Sequence, residues 1–376
     1  MMILSDGGPS AYRWIYSPIA ETIAQGVSAI AHGWAIRRVH CWPRCLNSTY
    51  DELHAGDVLC WIGVANLARF ESPETCGVGR CTELPWEHLR SRGIHTVWYQ
   101  TEPLRATCKG ECWGPLLSPP VAQPWKGRVA EVWDYSLQNI ARVRAQYVRR
   151  GLEPPVLRHV PPGHLASLQR AYEDAHAQRV VGNVTAAVES GDDSGNASFV
   201  GIVSERRRRC LAVLARRRGH SWITPVREAW SRRDFVSMLL QTRLVFVNLH
   251  RDCEVREWLS WEVQPCEALR FSTLLSVGAT IISQRCGAAD EAEFDGLVTF
   301  AHYPKALEAS AGRIARQRPV SPAAVAATFA KRFSPRRLCE RAGVGQLLAC
   351  LSARGQAWQG QATQGQGEES RTRTQC

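Results

Sequence analysis

Apolar runs of strand length recur along this chain, separated by stretches of helical length or by polar loops. The clearest case lies past the middle. Arg243–Asn248, an apolar run behind a charge, predicts a buried parallel strand, and the polar Asn248-Leu249-His250-Arg251-Asp252 predicts the loop at its end. Pro265–Val277 has helical length, Gly278 stands where such a helix would stop, and Ala279–Ser283 predicts a second buried strand. Together these make a βαβ unit, and open α/β sheets carry their ligands at the carboxyl ends of the strands. Asn248, His250, Glu267, Arg270 and Ser283 are therefore the candidates for chemistry.

The predicted helix places Glu267, Arg270 and Thr273 along one side, at i, i+3 and i+6, and leaves Cys266, Leu269, Leu274 and Val277 to face the sheet. Free amides and the dipole at the start of a helix favour an anion. There Arg270 offers a bidentate clamp for phosphate and Glu267 an acceptor for ribose hydroxyls. The plainer alternative is a Glu267–Arg270 ion pair on a solvated face.

The same alternation runs through the first half. Met2–Leu4, Ile36–His40, Asp57–Val64, Gly93–Gln100, Val129–Trp133 and Val156–Val160 read as strands, with helices over Pro18–His32, up to Arg92, and over Leu137–Arg149. Gly7 and Gly8 follow the first strand, where they serve either close backbone approach to a phosphate or sugar, or a plain turn. Glu102 stands at the carboxyl end of the Gly93–Gln100 strand, as a ligand contact or a loop cap. Asp134 or Ser136 caps the following helix.

From Leu165 to Ala197 the pattern lapses into small, polar and acidic residues, which predicts a flexible linker or insertion between domains 1–164 and 198–352. Ser198–Val203 and Trp222–Val226 then read as strands, Glu205–Arg218 and Arg233–Thr242 as helices. Leu297–Phe300 predicts a short strand, followed by three helices ending at Ser352, and the Gln/Gly-rich tail 353–376 reads as disordered.

Composition narrows the picture. A chain of 376 residues, 45% hydrophobic and 22% charged, has the balance of a soluble globular protein with room for two domains. No stretch has the apolar length of a membrane span, and no secretory signal is evident. The net charge of +11 admits anionic substrates or nucleic acid, the latter through arginines 206–209 and 216–218. A solvated helix surface is the competing reading of that cluster. The 14 cysteines lack zinc-site spacing, and Cys60, Cys210 and Cys266 fall inside predicted elements as small hydrophobes, so a reduced, cytoplasmic protein without metal is expected. Triplets at Asn47, Asn183 and Asn196 leave a lumenal location open.

Several strings carry a family resemblance. EVWDYSLQNI with VLRHVPPGH, then SFVGIVSERRRRCLAVL, then RLVFVNLH and EALRFSTLLSVGATIIS, resemble segments of GT-B glycosyltransferase-like proteins distantly similar to the spore-maturation group. They cover roughly Glu131–Ser283; the rest matches only in outline. The resemblance implies an α/β chain of two Rossmann-like domains with a cleft between them. It also implies sugar transfer from a nucleoside diphosphate sugar, as co-substrate, to an unknown acceptor without a metal ion. Arg270 stands eight residues before Gly278 as the family arginine does, whereas the family glutamate position is Thr273 here. The implied donor contacts are Arg270 and Arg206 on the diphosphate, Gly201 for close backbone approach and Glu267 on the ribose; Asn248, Ser283, Gly7 and Gly8, read from their places after strands, complete the candidate binding set. His250 or Glu102 faces the reacting sugar, although a core or loop histidine is the commoner fate. A catalytically silent relative and an Arg-rich nucleic-acid binder are the alternatives.

Overall fold

A computed structural model describes residues 1–6, 13–41, 52–62, 86–101, 130–182, 197–201, 205–216, 223–226, 231–242, 244–250, 264–316 and 320–364. By contacts the chain divides into two units, Met1–Pro161 with Pro335–Cys376, and Pro162–Ser334.

The first unit holds strands β1 (Met2–Asp6), β2 (Arg37–Cys41), β3 (Val58–Ile62), β4 (His95–Gln100), β5 (Glu131–Asp134) and β6 (Val156–His159). All are parallel, in the order β2-β1-β3-β4-β5-β6. Helices α1 (Arg13–Ile30), α2 (Trp86–Ser91) and α3 (Leu137–Arg149) connect them. Such a sheet is buried on both faces, and β3 is accordingly apolar and buried at every position. Ser136 is the N-cap of α3, accepting from the Asn139 amide at 3.0 Å, while Asp134 accepts from the Ser136 amide at 2.8 Å.

Inside this unit Glu131 is buried at the start of β5. Arg158 meets it with two bonds of 2.6 and 2.7 Å, and the Trp133 indole donates to it at 3.0 Å. The same guanidinium reaches the Ala342 carbonyl at 2.8 Å, which fastens the end of helix α11 (Pro335–Arg341) to the sheet. A buried carboxylate is tolerable because it is paired and hydrogen-bonded.

Helix α1 packs on α11 through Gly26. A Cβ there would stand 2.6 Å from the Pro335 carbonyl oxygen and closer still to the Cys339 sulfur. Alanine inside a helix gains about 1 kcal/mol over glycine in propensity, but overpacking costs about 1–3 kcal/mol and the obstacle here includes backbone. Gly26→Ala is therefore expected to lower stability by about 1–2 kcal/mol in urea denaturation; an increase would mean the two helices do not meet there.

The second unit holds β7 (Ala197–Val200), β8 (Ile223–Val226), β9 (Val245–Asn248), β10 (Thr280–Gln284) and β11 (Val298–Ala301), parallel in the order β11-β10-β9-β7-β8. Both sheets share the doubly wound order in which the chain returns past its first strand, so both units are Rossmann-like. Within the second unit are α4 (Ala166–Gly182), α5 (Glu205–Arg216), α6 (Arg232–Leu240), α7 (Ala268–Ser276), α8 (Ala288–Glu293), α9 (Lys305–Arg316) and α10 (Pro322–Arg332). Phe199, Val245, Val247 and Ile282 from the strands, Leu211 and Leu214 from α5, and Leu307 and Ala311 from α9 form one core.

Several expectations change. Residues 166–182, expected within a flexible linker, are the helix α4. Helix α12 (Val344–Gln364) continues into the tail expected to be disordered. Residues from Pro335 onward belong to the first unit, not to a domain ending at residue 352. Cys266 is bonded to Cys286, with Cα atoms 5.2 Å apart, and Cys210 is also in a disulfide, so neither is a reduced small hydrophobe. Cys60 is free and buried as expected. No helix among the described residues is long and apolar enough to cross a membrane.

Candidate functional site

The strand order of the second sheet reverses between β7 and β9, the kind of position at which open α/β sheets carry their ligands. Gly201 follows β7, Asn248 ends β9, and Ser283 pairs with Asn248 across the β10 register. Helix α7 brings Arg270 to the same place.

That helix starts later than its sequence pattern suggests. Glu267 is the N-cap and Ala268 the first helical residue, because the preceding segment is tied elsewhere. Cys266 is joined to Cys286, its amide donates to Asp290 at 3.2 Å, and the Gly287 amide donates to the Gln264 carbonyl at 2.7 Å. The Ala268 amide is bonded to the Cys266 carbonyl at 2.9 Å, so it is already engaged. Farther along α7, Ser272 donates to the Gly163 carbonyl at 2.5 Å, and Ser276 accepts from the Leu165 amide at 2.9 Å. This pair at i and i+4 stitches the helix to the strap 163–165.

Arg270 is 14% and Glu267 27% exposed in their side chains, so the ion pair expected between them is present on a partly buried rather than a solvated face. The Arg270 guanidinium donates to the Asn248 side-chain oxygen and lies 3.6 Å from the Glu267 carboxylate. Asn248 in turn donates to Ser283 at 2.9 Å, and Ser283 to the Gln284 carbonyl at 2.8 Å. A Cβ on Gly201 would stand 2.7 Å from Arg270, and φ is +140° there, so both space and backbone favour glycine.

A second cation enters from α5. Arg207 is buried, donates to the Leu249 carbonyl at 3.1 Å and to Glu267 at 3.1 Å, and lies 5.4 Å from the Phe199 ring centroid. Arg270 lies 5.5 Å from the same ring. Burial raises the Glu267 carboxyl's pKa, but facing Arg270, then Arg207 and His250, outweigh it and hold the group below its ordinary value. Two guanidiniums thus share one carboxylate beside an aromatic ring, leaving a local excess of positive charge.

His250 is buried next to this pair. Its Nε2 is 2.8 Å from the Arg285 carbonyl, and its amide donates to the Gln284 side chain at 3.3 Å. Burial lowers its pKa; Glu267 and the bond to Arg285 raise it, Arg207 and Arg270 lower it again, and the net shift is downward. The neutral ring is favoured.

Of the residues singled out in the sequence, Gly201, Asn248, Glu267, Arg270 and Ser283 gather here with His250 beside them. Thr273 does not join them: its hydroxyl donates to the Arg270 carbonyl at 2.9 Å, back onto its own helix. Arg206 lies on α5, and its side chain is outside the described residues, as are Gly7, Gly8 and Glu102. Arg207 was the residue missed. The signal for it was periodicity, since Arg207, Cys210, Leu211 and Leu214 share the buried stripe of α5.

No protein-family model matches the chain, and no curated protein sequence matches it. Among solved structures it is similar to a glycosyltransferase from Rickettsia africae (TM-score 0.49, 8% identity, 93% of this chain and 98% of that one). It is also similar to HepE of Anabaena in complex with UDP (0.47, 10%, 94% and 99%). A third is AviGT4, involved in avilamycin A biosynthesis (0.49, 14%, 93% and 98%).

Proposed function

We propose that the chain is a GT-B glycosyltransferase whose second unit binds a nucleoside diphosphate sugar, with the diphosphate against Arg270. The observation that carries this reading is the Arg270 guanidinium, held by Asn248 against Gly201 at the point where the second sheet's strand order reverses. A diphosphate there meets a fork of donors already oriented by Asn248 and Glu267, so little ordering remains to be done on binding. When the bond between the sugar's anomeric carbon and the β-phosphate oxygen breaks, the leaving diphosphate gains charge. Arg270, with Arg207 behind it, is placed to stabilise that charge through fixed donors, the role a divalent ion fills elsewhere. Glu267 keeps the two cations apart and offers its remaining lone pairs to ribose hydroxyls. The acceptor oxygen takes the sugar, and its proton passes to a base.

A second reading, nucleotide binding without transfer, is favoured by Thr273, which turns back onto its own helix where the resembling proteins have a glutamate. The nucleic-acid reading is disfavoured. It needs a continuous basic face, yet Arg207 points into the site and Arg208 pairs with Glu205 at 2.5 Å.

Calorimetry with UDP, GDP, ADP and CDP, followed by a donor-hydrolysis assay with the matching nucleotide sugars, tests both readings. Binding with hydrolysis is the expected result, binding without hydrolysis favours the silent relative, and no binding to folded protein overturns the donor site.

A further inference from the structure

Nearly every polar side-chain atom around Arg270 already has a partner. The Asn248 oxygen takes Arg270, its amide goes to Ser283, and the two Glu267 oxygens face Arg207 and Arg270. His250 is the exception. Its Nε2 faces the Arg285 carbonyl at 2.8 Å, and a carbonyl only accepts, so Nε2 must carry the proton. In the neutral ring Nδ1 is then a bare acceptor, and it has no partner among the described residues. Nor is it sealed: the fully enclosed side-chain polar atoms without partners, among the described residues, belong to His95, Thr101 and Arg232.

An ionised phosphate cannot fill this position, because it too brings only acceptors. Both Arg207 and Arg270, the site's cations, are donors. The complementary group is a hydrogen-bond donor, which on the sugars of a nucleoside diphosphate sugar is a hydroxyl. We propose that His250 determines ligand specificity by accepting a hydrogen bond at Nδ1 from a sugar hydroxyl of the bound ligand. This rests on the donor-site reading above and adds to it what the site reads beyond charge. The hydroxyl belongs either to the nucleotide's ribose or to the transferred sugar. Rigidity is built in, since the ring is held at Nε2, its backbone amide is held by Gln284, and Arg285 is itself pinned by Glu291 at 2.7 Å. A held acceptor left without its donor is costly, and that cost is what separates a ligand bearing the hydroxyl from one lacking it.

Two substitutions separate reading from support. His250→Gln keeps a donor at the Nε2 position for the Arg285 carbonyl and loses the Nδ1 acceptor. His250→Asn does the reverse, placing an amide oxygen near Nδ1 and losing the bond to Arg285. Calorimetry on the full chain would compare wild type and both variants against inorganic pyrophosphate, the four nucleoside diphosphates, and the nucleotide sugar of the best-binding one. His250→Gln is expected to weaken the hydroxyl-bearing probe by about 10-fold or more while pyrophosphate is unchanged, with His250→Asn closer to wild type. Loss already at the nucleoside diphosphate, and alike for UDP, GDP, ADP and CDP, assigns the ribose; loss only at the nucleotide sugar assigns the transferred sugar; loss confined to one base assigns the base and overturns the proposal. Equal losses for pyrophosphate, the opposite order of the two variants, or no loss at all would overturn the proposal and leave the donor site standing. If wild type binds none of the probes, the donor site falls and this proposal with it.

A pH series adds a readout that a structural role would not move. Protonation turns Nδ1 into a donor, in a setting where Glu267 favours the charged ring and Arg207 and Arg270 oppose it. The wild-type advantage over His250→Gln for the same ligand should hold at neutral pH. It should shrink toward none as pH falls below the ordinary imidazole value of 6.5, through the ring's lowered pKa. A constant ratio across that range would also overturn the proposal.

Discussion

Arg270→Ala is expected to weaken nucleoside diphosphate binding by about 100-fold or more, roughly 3 kcal/mol, because it removes a preoriented, partly buried guanidinium from the proposed diphosphate site. The effect has two parts. The ligand loses its direct fork of donors, and the Asn248 oxygen loses the group that occupied it. Glu267 keeps Arg207 at 3.1 Å but loses the cation that contributes most to holding its carboxyl below the ordinary range. Arg270→Lys separates charge from geometry: a lysine restores the positive charge without the planar fork, so its affinity should fall between wild type and alanine. The acid limb of stability gives an independent check. A carboxyl depressed in the folded state stabilises it above the unfolded pKa, and this contribution is lost as pH falls through the folded value. Wild type should therefore lose stability between neutral pH and pH well below 4.5, and Arg270→Ala should lose less over that interval because its Glu267 is less depressed. Urea denaturation at the two pH values measures the difference. Unchanged affinity in Arg270→Ala would detach the ligand from α7 altogether.

What was legible in the sequence follows from which interactions are local. The β9–α7–β10 unit could be read because a strand buried on both faces must be a continuous apolar run, and because a helix end with glycine after it is a local event. The true start of α7 could not. Cys266 is held by Cys286, 20 residues later, and by Asp290, so the chain ahead of Glu267 obeys a tether rather than its own propensity. Glu267 still faces Arg270, but from the N-cap. Arg207 was hidden by its neighbours: in a run of four arginines charge looks uniform, and only the i, i+3, i+4, i+7 stripe with Cys210, Leu211 and Leu214 distinguishes the inward one. Helix α4 escaped for the opposite reason. Its buried contact is concentrated at Leu168 near its start, so it has no sustained apolar stripe to announce a helix. The return of residues 335–364 to the first unit depends on contacts such as Arg158 with the Ala342 carbonyl, which no local window contains.

The other large effect is structural. Gly278→Ala is expected to destabilise the Pro162–Ser334 unit by about 3 kcal/mol or more, from two sources acting at one atom. Gly278 follows the end of α7 with φ at +78°. Its amide donates to the Leu275 carbonyl at 3.0 Å and the Ala279 amide to the Leu274 carbonyl at 3.0 Å, the paired closure of a Schellman motif. A side chain in that conformation costs about 1–2 kcal/mol. The new Cβ would also stand 2.5 Å from the carbonyl carbon of Pro322, and nearer its oxygen, so backbone must move rather than a flexible tip. The displaced partner is α10, whose Phe329 stacks on Phe333 at 4.9 Å; Phe333 stacks on Phe294 at 5.0 Å, and Phe294 meets Phe271 of α7 edge-on at 5.1 Å. Gly296 supplies the matched control, with φ at +72° and nothing within 4 Å of an added Cβ. Gly296→Ala should therefore show the backbone cost alone, about 1–2 kcal/mol, and the excess in Gly278→Ala measures the collision with Pro322. Denaturation curves for the two variants side by side decide it: equal losses would mean α10 does not press on the end of α7.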